Sequence, residues 1–174
     1  IAATALGLLL SQMEMRAEGI IDQPVLQVLS VMLDSERGSE WIDRLATQEV
    51  LRIIGPNEWV ERNHFALPFP VTDREMLVHV TLTIDAEEGS AIISSVPVDD
   101  PATPVTRGRV RARNSSTYRL IPIDGGMRTR ISMATSTHPG GLIPAFLIRV
   151  FRRDFPAKTL AALQRQCAKR DIRA

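Results

Sequence analysis

The chain has 174 residues, of which 44% are apolar and 24% charged, with a formal net charge of +1. That length suits one domain spanning residues 1–174, with a sizeable core or an enclosed cavity, and the near-zero charge predicts no nucleic-acid partner. Charge is unevenly placed: Arg149 to Ala174 carries eight Lys/Arg against two Asp, net +6, which leaves −5 on the remainder.

In chain order, Ile1 to Leu10 is apolar but too short to span a bilayer. It reads as the start of a buried strand or helix rather than the remnant of a signal segment. The chain does not begin with Met and reads as a fragment with its true N-terminus out of view. A soluble, cytoplasmic setting is favoured over a periplasmic or secreted one.

Residues 13–21 alternate Met13, Met15, Ala17, Gly19 and Ile21 against polar neighbours, the pattern of a half-buried strand. Asp22 offers an N-cap to an amphipathic helix over 24–33, with Pro24 in its first turn. Trp41, Ile42 and Leu45 suggest another helical turn before a hairpin of strands 49–54 and 58–66. Strand 75–85 sets Met76, Val78, Val80, Leu82 and Ile84 on one face and His79, Thr81 and Thr83 on the other. Strand 90–96 precedes a proline-rich loop, 97–104, and two separate strands follow at 107–114 and 118–123. Asp124-Gly125-Gly126 then turns tightly into strand 127–135.

After Pro139-Gly140-Gly141 the apolar period changes from two to 3.6. Leu142, Ile143, Phe146, Leu147, Val150 and Phe151 line one helix face, continued by Leu160, Leu163 and Cys167. Pro156, inside this pattern, should kink or divide the helix. The lone Cys167 excludes an internal disulfide and reads as a small helix residue. The order of elements implies an α+β domain: an antiparallel sheet with a long helix on one face.

Four segments carry a resemblance. Phe65-Ala66-Leu67-Pro68-Phe69-Pro70-Val71-Thr72-Asp73-Arg74-Glu75 is a rigid apolar corner ending in an Asp-Arg pair, and His138-Pro139-Gly140-Gly141-Leu142-Ile143-Pro144 opens the final helix. Ala17 to Pro24 reads as a strand-to-helix passage, and Asp34-Ser35-Glu36 leads to Trp41. Together, in this order, they resemble StAR-related lipid-transfer (START) domains, of the helix-grip, Bet v 1-like superfamily, across about residues 13–169. The resemblance implies a curved antiparallel sheet wrapped around the C-terminal helix, with an apolar tunnel between them. Part of the family's N-terminal helix and first strand is not recognisable.

What the resemblance implies for function is binding, and transfer, of a hydrophobic small molecule or lipid. The expected ligand-binding residues are Trp59, Tyr118, Met133, Leu142, Ile143, Phe146 and Val150, with Arg111 meeting a polar head. Arg107, Arg109, Arg111 and Arg113 alternate on one face. That stripe reads either as a solvated outer face or as the source of one inward arginine, offset by Asp99 or Asp100. Arg111 is the expected position because START domains often place an arginine near this strand. The basic C-terminal helix reads either as a docking surface for anionic membranes or as cations suited to a helix C-terminus.

Motifs for catalysis are absent. His64, His79 and His138 have no metal-ligand spacing, and neither a Walker loop nor a Gly-x-Ser-x-Gly elbow occurs. No catalytic residue, metal or cofactor is therefore expected. Two alternatives stay open. One is an aromatase/cyclase-like enzyme on the same scaffold, using Tyr118, His79 and Arg111; the other is a ligand-free interaction module with a filled core.

Overall fold

The computed structural model describes residues 12–169. The expectations for Ile1 to Leu10 and for Arg170 and Arg173 fall outside them. Seven strands form one curved sheet: β1 (Met13–Ile21), β2 (Leu45–Gly55), β3 (Glu58–Phe65), β4 (Arg74–Asp85), β5 (Ser90–Pro97), β6 (Val110–Ile123) and β7 (Arg128–His138). Helix α1 (Val25–Leu33) follows β1, and helix α2 (Ala145–Cys167) ends the fold. This is the α+β helix-grip architecture.

The strand order is β1-β7-β6-β5-β4-β3-β2, antiparallel between these neighbours. Each strand from β2 to β6 thus pairs with its successor, as short turns dictate, while β1 closes on β7 at the far edge. Where β5 ends, the first residues of β4 and β6 pair directly in parallel, from Arg74↔Val110 to Met76↔Ala112.

The core lies between the sheet's concave face, α1 and the second half of α2. Its fully buried side chains include Val28, Leu120, Ile131 and Leu163, each contributing about 2 kcal/mol through burial. Gly19 of β1 permits this packing, because a Cβ there would lie 3.3 Å from Leu160 Cδ1 on α2.

Several local expectations change. Pro24, not Asp22, occupies the N-cap of α1, which has no side-chain cap; Asp22 is drawn instead to Arg128 at 2.9 Å. The turn before β2 is a 3-10 turn at Gly38–Glu40, and β2 already begins at Leu45. The two strands expected at 107–114 and 118–123 are one strand, β6, because β5 and β7 pair across the polar stretch 114–117. Arg107 lies outside it. Helix α2 starts after Pro144 and runs through Pro156 as one element. Pro156 is buried, so its packing offsets the backbone hydrogen bond that its ring removes.

Candidate functional site

Between the sheet and the first half of α2 lies a recess of about 200 Å³. Strand alternation decides its walls. Trp59, Glu61, Asn63 and Phe65 of β3 face it, as do Met76, Val78 and Val80 of β4 and Ala112, Asn114, Ser116 and Tyr118 of β6. Ile143, Phe151 and Phe155 line the helix side. Met13, Met15 and Met32 form a further stretch of wall, with flexible thioether chains that adapt to a neighbour's shape.

A small set of polar groups interrupts this apolar lining. Glu61, buried on β3, accepts hydrogen bonds from Gln48 Nε2 at 3.1 Å, Trp59 Nε1 at 3.0 Å and Asn63 Nδ2 at 2.8 Å. Across the sheet, Asn114 Oδ1 accepts from the hydroxyls of Thr135 at 2.8 Å and Thr137 at 2.7 Å. Ser95 and Ser116 share a hydrogen bond of 2.7 Å. Tyr118 makes no hydrogen bond to any described residue, and desolvation pushes its phenol up to about 12.

Cations border the recess in two places. Arg44 has φ 64 and sets its guanidinium 5.4 Å from the centroid of the Phe151 ring, a cation–π distance. Arg74 is almost fully buried and donates to backbone carbonyls: Pro139 at 2.7 Å, Gly140 at 2.9 Å, and Thr72 on the other loop. Desolvation lowers its pKa. Arg74 thereby ties the corner at 66–73 to the start of α2. Gly140 completes the tie, because its φ is 63 and a Cβ would stand 2.5 Å from the Arg111 carbonyl oxygen. Asp73 finishes the corner by accepting from the Leu67 amide at 3.0 Å and pairing with His64 at 2.8 Å; these two contacts lower its carboxyl pKa.

The residues expected to bind ligand separate into four groups. Trp59, Tyr118 and Ile143 line the recess. Met133 is buried on the same sheet face but belongs to the core rather than to the recess wall. Leu142, Phe146 and Val150 lie outside the recess, at 97%, 59% and 39% exposure. Leu142 precedes the helix, and the inward stripe of α2 is Phe151, Phe155, Thr159 and Leu163, which Phe146 and Val150 flank.

Arg111 also lies outside the recess lining. Ala112 and Asn114 face the recess, so odd-numbered neighbours on β6 point to the other side. There Arg111 Nη1 lies 3.4 Å from Glu75 Oε1, and Nη2 donates to the Thr103 carbonyl at 2.8 Å. Its expected helpers are engaged elsewhere: Asp99 pairs with Arg113 at 2.8 Å, and Asp100 accepts from the Ala102 amide. Desolvation works to raise the Glu75 carboxyl, but Thr106, Arg111 and Arg109 outweigh it and hold it below the ordinary value. This cluster fastens the loop after β5 to the outer side of β4 and lies apart from the recess.

Glu61, Gln48 and Asn63 are the polar site residues that sequence reasoning missed. The signal was present, since an inward Trp59 requires Glu61 and Asn63 to share its face. His79 turns away from the recess to Glu58, at 2.7 Å. Among the described residues, no three His, Cys, Asp or Glu side chains gather as a metal site, and no helix is long and apolar enough to cross a membrane.

Comparison with known proteins agrees with this geometry. The chain is 28% identical over 151 residues to an uncharacterized Pseudomonas aeruginosa protein, covering 86% of this chain and 73% of that one. It superimposes on a STAR-related lipid transfer protein fragment from Xanthomonas axonopodis with TM-score 0.78 at 25% identity, over 90% of this chain and 86% of that one. Human STARD10 shares the fold at TM-score 0.79 and 19% identity, over 92% of this chain, which spans 64% of the STARD10 chain. The START domain family model matches residues 10–169; with the sheet wrapped on α2, the chain belongs to the START domain family.

Proposed function

We propose that this domain binds a hydrophobic or amphiphilic small molecule of lipid type in the recess between β3–β7 and the first half of α2, and exchanges it with a membrane. The observation that carries this reading is an apolar wall interrupted by a few oriented polar groups, the usual make-up of a small-molecule site. Burial of a ligand's apolar surface, at roughly 25 cal/mol per Å², supplies the affinity.

At about 200 Å³ the recess is smaller than the roughly 300–1,000 Å³ typical of small-molecule pockets. A ligand with a long chain is admitted when the first half of α2 lifts from the sheet. The Arg44–Phe151 contact and the Phe155 side chain hold that half down in the empty state. The cyclase-like alternative is less well supported, because only Tyr118 of its three candidates reaches the recess; His79 and Arg111 are engaged outside it.

Exchange at a membrane is favoured by the surface around the Arg74 tie. Phe69 and Leu142 are each 97% exposed, and the Arg74 guanidinium brings their loops together. Phe146 and Val150 continue this apolar surface along α2, beside exposed Arg149 and Arg152. These exposed apolar and basic side chains support a docking surface for an anionic bilayer at the start of α2. At the other end, Lys169 is engaged with Glu40 at 2.6 Å.

The binding test is native mass spectrometry and lipid extraction of the purified protein, followed by displacement of a fluorescent apolar probe. The expected result is a co-purified lipid or saturable probe binding that weakens at least about tenfold in Ile143→Trp. A protein that carries no lipid and takes up no probe would refute the reading. For docking, co-sedimentation with vesicles containing an anionic phospholipid should fall in Phe69→Asp and in Leu142→Asp; unchanged sedimentation would remove the membrane from the account.

A further inference from the structure

The Glu61 group has hydrogen-bonding capacity that the protein does not fill. A carboxylate offers about four lone-pair sites, and three are occupied: two on Oε2 by Gln48 and Trp59, one on Oε1 by Asn63. Among the described residues no Lys, Arg or His pairs with Glu61, so its oxygens meet only neutral donors.

The contact with Asn63 also fixes that amide. An oxygen of Glu61 that accepts requires the NH2 group of Asn63 on its side, so the amide cannot be turned over. Asn63 Oδ1 is left buried with no hydrogen-bond partner. Two acceptors therefore lie on adjacent groups of the recess wall, Glu61 Oε1 and Asn63 Oδ1, linked through Asn63 Nδ2 at 2.8 Å. Other polar groups of the wall pair among themselves, as in the Asn114–Thr135–Thr137 and Ser95–Ser116 groups. A buried acceptor without a donor is unfavourable in the empty protein, and a ligand that supplies the donor relieves it.

Trp41 adds a complementary requirement. It lines the same recess, and its Nε1–H is buried without an acceptor. The recess thus leaves acceptors open together with the Trp41 donor and the Tyr118 hydroxyl, which an uncharged hydroxyl, able both to donate and to accept, can match. An anionic head would instead meet the Glu61 carboxylate with no cation paired to it.

Resting on the binding reading above, we infer that Glu61 and Asn63 form the receiving site for the polar end of the ligand, and that this end is an uncharged hydrogen-bond donor of hydroxyl type. Glu61 and Asn63 select it by accepting its proton in a hydrogen bond, while Gln48 and Trp59 hold the Glu61 carboxylate in place. The apolar chain then runs along the Met, Val and Phe walls.

The test compares 1-dodecanol with its methyl ether, which keeps the chain and removes the donor, by displacement of a fluorescent apolar probe. Wild type should bind the alcohol about tenfold more tightly than the ether. In Asn63→Ala and in Glu61→Gln the preference should fall to within about twofold. Asn63→Ala removes an unpaired buried oxygen together with one of the three hydrogen bonds to Glu61, so its melting temperature should stay within a few degrees of wild type. Equal binding of alcohol and ether by wild type, or a preference that survives both substitutions, overturns the inference and leaves the recess as a plain apolar site. If wild type takes up neither compound nor the probe, the binding function fails together with it.

Discussion

The two halves of α2 are held by different means. Beyond Pro156, Thr159, Leu163, Gln166 and Cys167 are all at most 2% exposed. Gln166 and Lys169 both donate to Glu40 Oε2, at 2.9 and 2.6 Å, while Asp22 donates its amide to Gln164 Oε1 and Gln27 reaches the Cys167 carbonyl. Before Pro156, Phe146 and Val150 face outward, and Phe151 and Phe155 rest over the recess. Within Ala145 to Phe155, no described side chain hydrogen-bonds to the rest of the fold, and Arg44 against Phe151 is the one polar-group contact. One half is thus built into the core and the other covers a space, which is how local stability comes to differ within a single helix.

The sharpest way to break this comparison is to truncate one apolar residue in each half. Leu163→Ala should cost about 3 kcal/mol through the cavity it leaves. Phe146→Ala should cost less than about 0.5 kcal/mol, since that ring is mostly exposed. Denaturant unfolding of both variants checks the pair, and similar losses would abolish the distinction. Gly140→Ala comes next, at about 2 kcal/mol from its left-handed backbone and the close Arg111 carbonyl; thermal unfolding reads it. A large loss there shows that the covering half, though loosely packed, begins from a fixed point.

The smallest effect concerns pH and the anchored half. Hydrogen bonds from Arg37, Lys169 and Gln166 hold the Glu40 carboxyl well below its ordinary value of 4.5. A depressed folded-state pKa adds stability above the unfolded value, and that stability drains away as pH falls. The melting-temperature gap between wild type and Glu40→Gln should therefore be widest at neutral pH and narrow between roughly pH 5 and 3. A gap that does not change with pH would show that Glu40 acts there only as a neutral hydrogen-bond acceptor.

Much of this was legible in the residues. Strand β1 has the expected bounds, the apolar face of β4 is buried at Val78, Val80 and Leu82, half-buried at Met76 and exposed at Ile84, and the two proline corners identified the family. Site residues were harder to place. Arg111, on the resemblance to START domains, and Tyr118 were both expected at the ligand, and residues 115–117 were read as a break between two strands. Pairing with β5 and β7 overrides that local preference. On one continuous strand, residues seven apart must face opposite ways, and Tyr118 takes the inside.

Along α2, apolar content suggested a stripe through Phe146 and Val150. The buried stripe instead includes Thr159 and Gln166, polar residues that no hydrophobic pattern selects. Glu61 was overlooked for a similar reason, since a carboxylate reads as surface until its donors on neighbouring strands are known.

Hydrogen exchange along α2, measured with the protein free and saturated with 1-dodecanol, tests the central claim most directly. The account predicts that amides 149–155 exchange faster than amides 160–167 in the free protein, and that ligand slows the first group while leaving the second unchanged. Uniform protection along the helix, with no response to ligand in its first half, would contradict it.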